Sequence, residues 1–201
     1  MSTLDDNNDL LEDLPPLILG SASFTRKLIL KEMKIPYSIV VRPIDESSIG
    51  DRSKDADPED LVMALANAKM DHLLNELATT KKCKKELFLP EERDDWIVLT
   101  ADQVVTCNGK ILEKPNSIEQ AKEMVGEYSK HPCSTVGAVV LAHVPTRIRV
   151  SSLHIATVTF SPTLDASQLV DDLLIASKDA PILSCAGALM IEHPLTRANV
   201  I

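Results

Sequence analysis

Residues 17–30, LILGSASFTRKLIL, place Ser21 and Ser23 between a short apolar run and a helical pattern that opens on Arg26 and Lys27. A helix start presents free backbone N–H groups, and two hydroxyls beside them complete a set of donors suited to an anion. Cations at that end oppose the helix dipole, and they make sense there if an anion sits between them. The competing reading is a serine-capped helix with an exposed Arg-Lys pair. The stretch alone leaves both open.

Asp102 is the second signal. It interrupts IVLTADQVV, which otherwise reads as a buried strand. A carboxylate in such a run is costly unless it is paired or binds metal, so the strand carries Asp102-Gln103 for a reason other than packing. The competing reading is a strand-end Asp satisfied by backbone amides. The remaining candidates say little one by one. Lys114-Pro115 follows a strand, Asp45-Glu46 sits in a polar turn region, Lys69 lies on a helix, and Glu192 follows the apolar ALMI. His72, His131, His143, His154 and His193 show no HxxxH or HExxH spacing, which speaks against a histidine zinc site. No GxGxxG and no Walker loop occurs.

These residues need elements to hold them. Leu17–Gly20 reads as a strand, and Phe24–Met33 as a helix with Ser23 at its N-cap. Pro36–Val41 is β-rich. The clearest helix spans 57–77, with Asp57 as cap, Pro58 at the first helical position, and Glu59 and Asp60 at the positive end of the dipole. Asn108-Gly109 between two apolar runs marks a hairpin. Ser117 with Gln120 forms a capping box for a helix through about Tyr128. STVGAVVLAH and HIATVTF read as paired strands, followed by a helix at about 165–176. Interleaved strands and helices with one antiparallel hairpin give an α/β fold with a mixed β-sheet flanked by helices.

Composition narrows the function classes. The chain has 201 residues, 44% hydrophobic and 25% charged, enough for one large domain with a core that must be mainly aliphatic, since aromatics are only 3%. Net charge is -9, but residues 1–14 hold five acids and no base, leaving the rest at about -4. That segment reads as a disordered acidic tail, without the features of a secretory or mitochondrial leader. KKCKK at 81–85 is the one basic cluster and reads as a solvated loop, so no nucleic-acid partner is expected. The apolar run at 136–144 is too short to cross a bilayer. Cys83, Cys107, Cys133 and Cys185 are scattered, as free thiols of a cytoplasmic protein would be.

Taken in order, these pieces resemble the Maf family of nucleoside triphosphate pyrophosphatases. Ser21-Ala22-Ser23-Phe24-Thr25-Arg26 matches an SxSPRR-like segment, Asp45-Glu46 an acidic pair after the second strand, and Lys69 a late helix lysine. Asp102 in TADQVV matches the signature Asp, Lys114-Pro115 the KP motif, and STVG at 134–137 with Cys185-Ala186-Gly187 and Glu192 the closing segments. The resemblance covers roughly 17–193. It implies two lobes around a nucleotide-binding cleft, a homodimer, and metal-dependent hydrolysis between the α- and β-phosphates of a nucleotide. The Asp102-Gln103 pair with the CAG…E pattern is similar to the subgroup associated with 7-methyl-GTP.

Within that resemblance, Ser21, Ser23, Arg26, Lys69, Gln103 and Lys114 bind substrate. Asp102 is the base or metal-bridging acid, and Glu46, Asp102 and Glu192 hold a divalent cation, Mg²⁺ or Mn²⁺. Two departures stand out. Phe24-Thr25-Arg26 replaces Pro-Arg-Arg, so one phosphate-binding cation is missing. Members also continue past the Glu192 position through a glycine-rich loop, a strand and a helix, whereas this sequence stops at Ile201. On that basis residues 15–201 form a single Maf-like domain without the last strand and helix. The alternative function is a catalytically weak nucleotide- or partner-binding protein.

Overall fold

The computed structural model describes residues 15–79, 95–144, 146–176 and 181–201. The acidic segment 1–14, the KKCKK cluster and Cys83 lie outside the described residues. In chain order the elements are β1 (Leu17–Leu19), α1 (Phe24–Glu32), β2 (Tyr37–Ile39), a 3₁₀ turn at Glu46–Ser48 and α2 (Pro58–Thr79). They continue with β3 (Trp96–Cys107), β4 (Lys110–Leu112), α3 (Ile118–Tyr128), β5 (Cys133–Val144) and β6 (Arg149–Val158). The chain closes with α4 (Ala166–Ala176), 3₁₀ turns at Pro181–Ser184 and Ala186–Ala188, and α5 (Pro194–Arg197).

The strands form one six-stranded sheet in the order β2-β1-β3-β5-β6, with β4 paired to β3 off that path. β1 runs parallel to both β2 and β3, Ile18 lying opposite Ser38 and Val98. Parallel neighbours need a crossover, which α1 supplies between β1 and β2. β4 is antiparallel to β3 through Asn108 and Gly109, whose φ values of 50° and 70° match the left-handed pair that a tight hairpin demands. The mixed α/β sheet expected from sequence is the one observed.

Helix starts follow local chemistry. Ser23 caps α1 by accepting from the Arg26 N–H, and Asp57 Oδ1 accepts from the Glu59 N–H at 2.8 Å just before α2. Ser117 Oγ accepts from the Gln120 N–H at 3.1 Å. The capping box closes differently from expectation, because the Gln120 side chain accepts from the Asn116 N–H at 2.6 Å, one residue before the cap. β6 also begins earlier than the apolar pattern indicated. It is exposed along nearly its whole length, so no buried face imposes an alternation on RVSS.

The chain divides into two compact units. The first comprises residues up to Ile49, Leu65–Ala101 and Val139–Ser152. Its core joins Ile18 and Leu19 of β1 to Val98 of β3 and to Leu65, Ala66 and Met70 of α2, all essentially inaccessible. The second comprises Gly50–Ala64, Asp102–Ala138 and Leu153–Ile201. There α3 packs on α4, and Tyr128 stacks on Phe160 with ring centroids 5.7 Å apart. Val170, Leu173 and Ile182 complete that core, and full burial of each such side chain stabilises by about 1.5–3 kcal/mol. Cys107 and Cys133 are buried free thiols, and Cys185 is a partly buried one. Among the described residues no helix is long and apolar enough to cross a membrane.

Candidate active site

In the first unit, Gly20 decides where Ser21 stands. A Cβ at residue 20 would lie 2.9 Å from Thr100 Cγ2 and 3.0 Å from Leu73 Cδ2, so only glycine lets the end of β1 sit this close to β3 and α2. The Gly20 N–H donates to the Leu99 carbonyl at 2.8 Å, which carries the strand pairing up to the serine. Ser21 is buried at 7% exposure, and its Oγ accepts from Arg26 Nη1 at 2.8 Å and from the Ser23 N–H at 3.2 Å. The first turn of α1 contains no acid. Two serines, a guanidinium and a helix start thus meet within six residues, a donor set that matches phosphate oxygens.

Also in this unit, Lys69 Nζ stands 3.0 Å from Glu46 Oε1. The acidic pair at 45–46 divides its work. Asp45 accepts from both the hydroxyl (2.6 Å) and the N–H (3.1 Å) of Ser47, capping the 3₁₀ turn that carries Glu46. Those two hydrogen bonds hold the Asp45 carboxyl below its ordinary value.

In the second unit, Asp102 is half-buried on β3, and Gln103, exposed beside it, lies over Gly137 of β5. Lys114 is exposed, next to the buried Pro115. Glu192 and Lys114 both act on the Cys185 thiol. Burial is the main cause that pushes this thiol up to about 11, the Glu192 charge adds to it, and Lys114 opposes it. A pairing that the sequence reading missed is Arg52 with Glu113, joined by two hydrogen bonds at 2.8 and 3.2 Å. No local pattern announces a partner 61 residues away.

The structure therefore brings together Ser21, Ser23 and Arg26 and pairs Lys69 with Glu46, while Glu192 and Lys114 act with opposite sign on the Cys185 thiol. Of the three carboxylates expected to hold a metal, Glu46 belongs to the first unit, and Asp102 and Glu192 to the second. Among the described residues no group of three or more His, Cys, Asp and Glu side chains is arranged to hold a metal ion.

The family model for Maf-like proteins matches residues 16–200. The chain belongs to the Maf family. The 7-methyl-GTP pyrophosphatase of Dictyostelium discoideum is 33% identical over 178 residues, covering 89% of this chain and 82% of that protein. A dTTP/UTP pyrophosphatase of Bacillus cereus (strain G9842) is 37% identical over 109 residues, 54% of this chain and 47% of the relative. A nucleoside triphosphate pyrophosphatase of Chlamydia pneumoniae is 24% identical over 177 residues, 88% of this chain and 82% of the relative. The Maf match takes in every candidate residue from Ser21 to Glu192.

Proposed function

We propose that this Maf-family chain hydrolyses the bond between the α- and β-phosphates of a nucleoside triphosphate, releasing the monophosphate and pyrophosphate, with a 7-methylated guanine nucleotide as the preferred substrate. The observation that carries this reading is the Ser21–Ser23–Arg26 cluster at the acid-free start of α1. The breadth of the alignment with the Dictyostelium enzyme supports the substrate preference.

The roles follow from the chemistry of each group. Ser21, Ser23 and Arg26 hold phosphate oxygens, and Lys69 neutralises further phosphate charge, with Lys114 and Gln103 as substrate contacts of the second unit. Asp102 accepts a proton from the attacking water as the new P–O bond forms, and the anhydride oxygen leaves with its electron pair on the departing phosphate. Asp102 and Glu192 present carboxylate oxygens, the donor type that hard divalent cations prefer, and Glu46 is the third carboxylate of this reading. Magnesium is commonly held by one or two carboxylates plus substrate phosphates, so a three-acid protein cluster is not required. Bound there, Mg²⁺ or Mn²⁺ would neutralise phosphate charge and lower the pKa of water. The reading also places the enzyme in the cytoplasm, where the free thiols of Cys107, Cys133 and Cys185 fit a reducing medium, and takes it as a homodimer. Fractionation and analytical ultracentrifugation test those two points.

A second reading is nucleotide or partner binding without turnover. One panel separates the two. Pyrophosphate release is measured with 7-methyl-GTP, GTP, dTTP and UTP, with and without Mn²⁺ or Mg²⁺. The proposed enzyme turns over 7-methyl-GTP best, needs the cation, and loses turnover in Asp102→Asn. Nucleotide binding by thermal shift with no pyrophosphate release would establish the second reading.

A further inference from the structure

Between Lys114 and Glu192 the second unit builds a strained turn. Gly187 and Ala188 are consecutive left-handed residues, with φ of 61° and 53°. The second carries a Cβ, for which this conformation is disfavoured. Such backbone persists only where its surroundings over-determine it. Two hydrogen bonds do so here, one on each side of Gly187. Its N–H donates to the Glu113 carbonyl at 2.9 Å, and its carbonyl accepts from the Tyr128 hydroxyl at 2.6 Å.

Both anchors are themselves fixed. Tyr128 is 2% exposed at the end of α3, its ring stacked on Phe160. Glu113 is gripped by Arg52 through both carboxylate oxygens and directly precedes Lys114. Beyond the turn, Leu189 and Met190 are buried in the same core, and the chain then delivers Glu192. Burial, with smaller contributions from Cys133 and Cys107, raises the Tyr128 phenol far above its ordinary value, so the hydroxyl remains a donor throughout the working pH range.

We propose that Tyr128 is a positioning residue: its hydroxyl, through the Gly187 carbonyl, fixes the Cys185–Ala188 turn against the Glu113 carbonyl and so positions the chain that carries Glu192. The inference rests on the reading of Glu192 as a carboxylate of the reacting site. A packing role for the ring alone would not need the hydroxyl at all, and that difference makes the inference testable.

The test compares Tyr128→Phe, which keeps the ring and its stack, with Phe160→Leu, which weakens the stack and keeps the hydroxyl. Steady-state kinetics with 7-methyl-GTP are combined with amide exchange of the 185–192 segment by mass spectrometry. For Tyr128→Phe the expected result is a kcat lower by roughly tenfold with KM within about twofold, and faster exchange at 185–189. Phe160→Leu should lower the melting temperature while keeping kcat within about twofold of the parent. The inference is overturned if Tyr128→Phe keeps full kcat and parental exchange, or if Phe160→Leu loses kcat equally with parental exchange at 185–189. A parent protein that binds but does not hydrolyse any nucleotide overturns the proposed activity instead, and exchange alone then decides whether the hydroxyl holds the turn.

Discussion

Arg26 donates from Nη1 to Ser21 Oγ at 2.8 Å, folding its guanidinium back over the start of its own helix. The cation is thereby held at the end of α1 where the dipole disfavours it. An incoming phosphate would reverse that penalty. Arg26→Ala should therefore raise KM for the triphosphate by roughly tenfold or more, the scale of one charge-assisted hydrogen bond, while leaving the melting temperature nearly unchanged. Thr25→Arg restores a second cation to the same turn and should tighten tripolyphosphate binding in calorimetry. Unchanged affinity in both variants would reduce Arg26 to a surface charge.

Lys69 and Glu46 give a sharper separation of stability from binding. Their ion pair is partly exposed, with side-chain exposures of 17% and 42%, and pairs of this kind contribute about 0–1 kcal/mol. Lys69→Gln should then shift the melting temperature by only a few degrees. If Lys69 meets phosphate, the same substitution raises KM by roughly tenfold. A large loss of stability with unchanged KM would show the pair to be structural.

Asp45 sets an acid limit on the turn that carries Glu46. Its folded pKa lies below the unfolded value of 3.8 because Ser47 donates to its carboxylate. The resulting stabilisation is fully present above pH 3.8 and disappears as pH falls through the lower folded value. Asp45→Asn should flatten that part of the acid-unfolding curve and leave stability at pH 7 to 8 without any new pH slope. Circular dichroism melts between pH 2 and 8 provide the measurement.

Cys185 offers a probe of charge around the turn. Its thiol is raised to about 11, so alkylation by iodoacetamide should be slow at pH 8 and rise about tenfold per pH unit. Glu192→Gln removes a charge that raises the pKa and should speed labelling at pH 8. Lys114→Gln removes one that lowers it and should slow labelling. Changes of the same sign in the two variants would contradict the arrangement.

Much of this was readable in the chain because the signals were local. Ser23, Asp57 and Ser117 cap helices within three residues of themselves, and Asn108-Gly109 turns a hairpin on its own backbone preference. Ser21 and Arg26, five residues apart, fall in the same category. What stayed hidden is long-range. The partners of Glu113 and Gly187 lie 61 and 59 residues away, and Tyr128 looked like the end of an amphipathic helix, its hydroxyl indistinguishable from any other. The start of β6 was missed for a different reason. An edge strand exposed on both faces carries no alternation to read.

The turn at Gly187 supplies the last prediction. A Cβ there would lie 2.4 Å from Tyr128 Oη and 2.7 Å from Val105 Cβ, at a φ of +61° that side-chain-bearing residues avoid. Gly187→Ala should cost about 3 kcal/mol or more from strain and overpacking combined. Part of that cost comes from the hydroxyl and part from Val105. Tyr128→Phe removes only the first, so the double variant Gly187→Ala/Tyr128→Phe should be more stable than the sum of the single effects by roughly 1 kcal/mol. Urea denaturation of the four proteins closes the cycle. Strict additivity would mean that the backbone moves away from Tyr128 in the alanine variant, and that the hydroxyl does not hold the turn as tightly as its 2.6 Å contact indicates.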